Sequence, residues 1–180
     1  VVQGEDSCVL SGTMIETERG LVPVEQITIE DKVLSYDFEQ NKSGYYKILS
    51  VMSPRLRTKW AKVKTMSGRE LRCTEEHPLY SLTAFNNEMP VNKLSIGSAV
   101  HVYDGSEFLE DVVISVEYFN EDVMVYNFEV DEVHSYISDG VLSHNKQSTP
   151  GTAGNRIPGA SSPGTIATPE SVPIYNREED

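Results

Sequence analysis

Val24-Glu25-Gln26-Ile27-Thr28-Ile29-Glu30-Asp31-Lys32-Val33-Leu34-Ser35-Tyr36 recurs as Val91-Asn92-Lys93-Leu94-Ser95-Ile96-Gly97-Ser98-Ala99-Val100-His101-Val102-Tyr103, at a constant offset of 67 residues. The apolar positions coincide in the two copies. Two copies are too few for a solenoid, which needs at least about three units to cover its apolar faces. A pseudo-two-fold pair of β subdomains sharing one core is therefore expected. Outward from this repeat, runs rich in Val, Ile, Tyr and Thr are broken by short turns, with Ser67-Gly68 and Asp139-Gly140 at hairpin positions. The pattern predicts strands at 13–16, 21–24, 33–37, 45–53, 59–66, 70–74, 99–103, 111–119, 122–130, 133–138 and 141–143. Helical periodicity is missing, so the fold class is all-β.

Hydrophobic residues make up 38% of the 180 residues, which suits one globular domain with unstructured flanks. The tail from Lys146 to Asp180 holds 35 residues, 17 of them Pro, Gly, Ser or Thr, and its one aromatic is Tyr175. Such a composition cannot offset its ordering entropy by burial. Formal charge is −13, of which −10 falls on residues 8–145. That surface repels phosphate backbones, so nucleic-acid binding is not expected. No apolar run approaches the roughly 18 residues of a membrane span, and no secretory signal opens the chain, so a soluble protein with no membrane role is expected. Two cysteines, Cys8 and Cys73, make neither a disulfide framework nor the paired spacings of a structural zinc site. A reducing compartment is mildly favoured; the localisation is otherwise not legible.

Both ends of the strand-rich region carry chemistry. Asn145 can break its own peptide bond, because its amide nitrogen can attack its backbone carbonyl and close a succinimide; His144 beside it can catalyse that step. At the other end stands Cys8, whose thiol has an ordinary pKa of about 8.5 and is intrinsically nucleophilic. Its sulfur can reach the Ser7 carbonyl and turn the Ser7-Cys8 peptide into a thioester, provided something protonates the departing nitrogen. His77, in Arg72-Cys73-Thr74-Glu75-Glu76-His77-Pro78-Leu79, can supply that proton while Thr74 braces the same peptide. His134 lies one predicted strand before His144, across the Asp139-Gly140 turn, and the hairpin would aim both imidazoles at the Asn145 carbonyl.

The opening Cys8-Val9-Leu10-Ser11-Gly12-Thr13 block, Thr74-x-x-His77, Val125-Tyr126-Asn127-Phe128-Glu129-Val130 leading to His134, and the closing His144-Asn145 come in one order over residues 8–145. In this the chain resembles an intein, or more generally a Hint domain, and is most similar to a bacterial intein-like mini-intein. The resemblance implies an all-β horseshoe with pseudo-two-fold symmetry. It implies self-catalysed peptide-bond rearrangement with no cofactor and no metal, acting as a monomer on its own flanking polypeptides. Residues 1–7 then form an upstream flank, 8–145 the domain without an endonuclease insert, and 146–180 a downstream linker.

Lys146 departs from the splicing pattern, which places Cys, Ser or Thr after the final Asn. Bacterial intein-like domains with a non-nucleophilic residue there imply uncoupled cleavage at the two ends, with ligation a minor route. Asn127 stands where many inteins carry an acidic residue; Asp131, four residues along and expected on the same face of a strand, is a possible modulator. Glu30 replaces a glycine kept as Gly97 in the second copy, which concerns a turn. Cys73 would modulate the site if its sulfur approached Cys8. The alternative is a catalytically decayed Hint domain acting as a structural or binding module. A zinc site built from Cys8, His77, His134 and His144 is a third, weaker reading.

Overall fold

The computed structural model describes residues 7–81 and 88–144, which fall within one compact unit, Glu5–Gln147. These residues form fourteen strands: β1 Val9–Leu10, β2 Met14–Thr17, β3 Gly20–Pro23, β4 Lys32–Asp37, β5 Lys42–Val51, β6 Arg55–Thr65, β7 Glu70–Thr74, β8 Pro78–Tyr80, β9 Glu88–Pro90, β10 Ala99–Tyr103, β11 Phe108–Tyr126, β12 Phe128–Val130, β13 Ser135–Ser138 and β14 Val141–His144. Among the described residues there is no α-helix, only two short 3-10 turns, Val24–Gln26 and Val91–Lys93.

Those two turns are the repeat made visible. In each copy a proline ends a strand with φ preset near −60° (Pro23 at −59°, Pro90 at −64°), a 3-10 turn follows, and an extended residue leads to the next strand. Val24 and Val91 are buried at the same place, each side chain worth about 2 kcal/mol of transfer free energy. Ile29 and Ile96 are exposed in both copies, so the likeness extends to the apolar residues that face water. Just before β4 and β10 the copies differ. Gly97 has φ +97°, whereas Glu30 is not among the residues of positive φ, and its turn is closed by Asp31 accepting from Thr28 N at 2.9 Å. A glycine is needed only where the left-handed conformation is used.

The two copies share one core. Val24, Ile27 and Val33 belong to the same buried cluster as Val91, Val100 and Val102. Between them runs the β13–β14 hairpin, in which β13 pairs with β2 (Ser138 opposite Ile15) and β14 with β8 (Ser143 opposite Leu79). Its turn is the predicted Asp139-Gly140, at φ +47° and +83°, the doubly left-handed two-residue loop that matches strand twist. Gly68, at φ +98°, turns β6 into β7 as the sequence predicts.

Three expectations are corrected. The strands predicted at 111–119 and 122–130 are one 19-residue strand, β11, with β12 after it. The polar Asn120-Glu121 pair marks a bulge, not a turn: the register slips by one residue between Asn120 and Val123, and β11 continues along β6. The short strands β1, β8 and β9 were not expected, because two or three residues carry no alternation to read. Asp131 is in the turn 131–133 and not on a strand face shared with Asn127, which itself sits between β11 and β12.

Candidate active site

β1 is only two residues long, but it is held on both sides, by β7 (Val9 opposite Cys73) and β11 (Val9 opposite Tyr126, Leu10 opposite Val125). This pins the Ser7-Cys8 junction inside the protein, where both residues are buried. Thr74 then clasps it. The Thr74 backbone N–H donates to the Cys8 carbonyl at 2.9 Å, and the Cys8 N–H donates to Thr74 Oγ1 at 3.2 Å. The nitrogen so held is the leaving atom of the Ser7-Cys8 peptide.

From Thr74 the chain makes a tight loop, closed by His77 N donating to Thr74 O at 3.1 Å and tied down by Val91 N to His77 O and Asn92 N to Glu75 O. The second copy of the repeat thus anchors the loop that presents His77. The His77 ring is wholly buried, its centroid 6.4 Å from that of Tyr136. Burial, and after it the neighbouring His144, push its pKa down to about 3, while the Ser7 backbone acts the opposite way. Neither ring nitrogen has a hydrogen bond of good geometry among the described residues, yet the Ser7 backbone is near enough to favour the charged form. At neutral pH His77 is a neutral imidazole.

The other two histidines meet at the hairpin end. His144 lies opposite Ser135, the residue after His134. His134 has φ +53° and its Nδ1 is 2.9 Å from the Val130 carbonyl; burial lowers its pKa, with His144 as the next cause. His144 Nδ1 is 2.8 Å from Glu88 Oε1, an ion-pair distance without hydrogen-bond alignment, and the Tyr80 ring meets the His144 ring edge-on at 5.4 Å. Pairing of β14 with β8 brings His144 beside the His77 loop, since Pro78 begins β8. Cys8, Thr74, His77, His134 and His144 therefore belong to one region. Asn145 and Lys146, and the flanks 1–6 and 146–180, lie outside the described residues.

Asn127 is buried, with Oδ1 accepting from Phe128 N at 2.9 Å and its carbonyl accepting from Met52 N at 3.0 Å. Cys73 is a free thiol, pushed up by burial and then by Cys8. It packs in the main core, whereas Cys8 packs with Leu10, Trp60 and Val125, so the two thiols occupy separate clusters. Among the described residues no group of three or more His, Cys, Asp or Glu converges where a metal ion could be held. No described helix is long and apolar enough to cross a membrane. Two contacts escaped the sequence: Arg55 Nη2 donates to Cys8 Sγ at 3.3 Å, and Glu88 meets His144. A single Arg or Glu far away in the chain leaves no motif to find.

The family model described as Pretoxin HINT domain matches residues 14–148. A bacterial intein-like domain from Clostridium thermocellum is 29% identical, covering 77% of this chain and 99% of its own, with a TM-score of 0.67. A DnaB intein from Synechocystis (14% identity, 78% and 99% coverage, TM-score 0.66) and a DnaX mini intein from Spirulina platensis (22%, 77% and 99%, 0.63) share the fold. An uncharacterized protein of Methanocaldococcus jannaschii is 28% identical over 93 residues, 51% of this chain, which spans only 13% of that relative's length.

Proposed function

This chain belongs to the Pretoxin HINT domain family, with the all-β Hint fold of self-processing domains, and we propose that residues 8–145 cut their own polypeptide at both ends. The observation that carries this reading is the clasp of Thr74 on the Cys8 amide nitrogen at 3.2 Å, with the buried His77 ring beside the same junction.

In the first step Cys8 Sγ attacks the Ser7 carbonyl carbon. The carbon–sulfur bond forms, the carbon–nitrogen bond breaks, and the thiol proton ends on the Cys8 nitrogen, relayed by His77; nothing is oxidised or reduced. A relay accepts a proton before passing one on, so His77 would act from its neutral form. Water then hydrolyses the thioester and restores the thiol. In the second step the Asn145 side-chain nitrogen closes on its own carbonyl carbon, and the bond to Lys146 breaks with a proton passing to the new α-amine. His134 and His144 manage the protons of that ring closure. The freed α-amine, with an ordinary pKa of about 8, can intercept the thioester, giving spliced product in low yield. No cofactor takes part, and the partners are the chain's own flanks, processed within a monomer. A pretoxin setting suits release of a downstream segment by the second cut.

A decayed domain acting as an inert module is the second reading, and the strong depression of His77 to about 3 favours it, since an imidazole that hard to charge makes a slow relay. Intact-mass spectrometry of the chain carrying a tag at each end, incubated with and without thiol, separates the two. Masses matching cuts after Ser7 and Asn145 are expected, the first lost in Cys8→Ala and the second in Asn145→Ala. An unchanged mass overturns self-processing in favour of the inert module, and cutting at both ends in both variants overturns the residue assignments.

A further inference from the structure

Arg55 opens β6 directly opposite Val125, and Val125 pairs on its other side with Leu10, two residues from Cys8. Residues directly opposite share a face, so Arg55 stands on the face that Cys8 and Leu10 share. Its Nη2 donates to Cys8 Sγ at 3.3 Å, within the reach of a hydrogen bond to sulfur. Cys8 also packs with Leu10, Trp60 and Val125, an apolar setting that opposes an isolated anion. A guanidinium beside it reverses that balance, because opposite charges attract more strongly where water is scarce.

We infer that Arg55 is the cation that steadies Cys8 Sγ as the thiolate that forms when its proton passes to His77, and that by touching the reacting atom it is a catalytic residue of the first cut. The catalytic part rests on the self-processing reading; the charge pairing does not. Arg is suited to this because it stays charged at any working pH and its donors are fixed in a plane. Among the described residues, the other ionisable groups near Cys8 add no competing charge. Cys73 on β7 and Tyr136 on β13 are both raised by burial and stay neutral, and His77 after β7 is neutral at pH 7. The same burial leaves Cys73, with no cation assigned to it, as a thiol.

The test follows the ultraviolet absorbance of the thiolate against pH in the full chain, with a Cys8→Ser version subtracted so that only Cys8 is read. Arg55→Gln is expected to move the Cys8 transition up by about one pH unit and Arg55→Lys to restore part of it. Scission at Ser7-Cys8 should fall about tenfold in Arg55→Gln, the same shift expressed as a rate, while tail release after Asn145 continues and reports an intact fold. An unmoved thiolate transition in Arg55→Gln overturns the inference whatever the cleavage rate. A transition that moves in Arg55→Gln while the wild-type chain never cuts at Ser7-Cys8 upholds the pairing and overturns the self-processing reading alone.

Discussion

The Thr74 hydroxyl lies 3.2 Å from the Cys8 amide nitrogen, and the backbone of Thr74 grips the carbonyl of the same residue at 2.9 Å. One residue therefore holds both polar groups of Cys8, so the Ser7-Cys8 peptide cannot rotate away from the loop that carries His77. The clasp exists because β1 and β7 are antiparallel neighbours at this point.

Thr74→Val keeps the shape and removes the hydroxyl. The Cys8 N–H is then a buried donor without that acceptor, at a cost of about 1–3 kcal/mol. Cutting after Ser7 should slow by about tenfold or more, at about 1.4 kcal/mol for each factor of ten, while tail release is unchanged. Quantitative mass spectrometry of the two products over time checks both halves.

Glu88→Gln removes the carboxylate 2.8 Å from His144 Nδ1. His144 loses the charge that orients its ring, and tail release should slow several-fold with the first cut unaffected. Product masses followed over time in the wild type and in Glu88→Gln check both halves.

Acid should destabilise the fold earlier than its carboxylates alone would require. His77 has a folded pKa of about 3, against about 6.5 for an ordinary histidine, so between those values the unfolded chain binds the extra proton. Stability is full above about pH 6.5 and is lost as pH falls, by up to about 1.4 kcal/mol per unit from this one group. His134, lowered by burial in the same sense, adds to the loss. Urea midpoints at pH 7 and pH 5 should differ in the wild type and differ less in His77→Gln.

Gly140→Ala should loosen the final hairpin. Its φ of +83° disfavours any side chain, and an added Cβ would lie 2.8 Å from Arg69 Nε, in a side chain tethered to the Tyr103 carbonyl at 3.0 Å. A loss of about 1–2 kcal/mol is expected, the cost of a left-handed alanine. Slower tail release should accompany it, since β14 ends at His144. Thermal denaturation alongside product mass measures the pair.

The sequence by itself determined the all-β class, the one-core repeat and the hairpins at Ser67-Gly68 and Asp139-Gly140. Each of these is written in local order: alternation, and turn residues of left-handed φ. Tertiary structure decided what depends on neighbours far apart in the chain. The unbroken β11 was settled by β6, which supplies the ladder past a polar pair that reads as a turn. Strands as short as β1 exist because β7 and β11 already flank them. The donation of Arg55 to the Cys8 sulfur, the approach of Glu88 to His144 and the loss of charge at His77 arise from burial and from pairing across 47, 56 and whole-core separations, and no residue pattern encodes them.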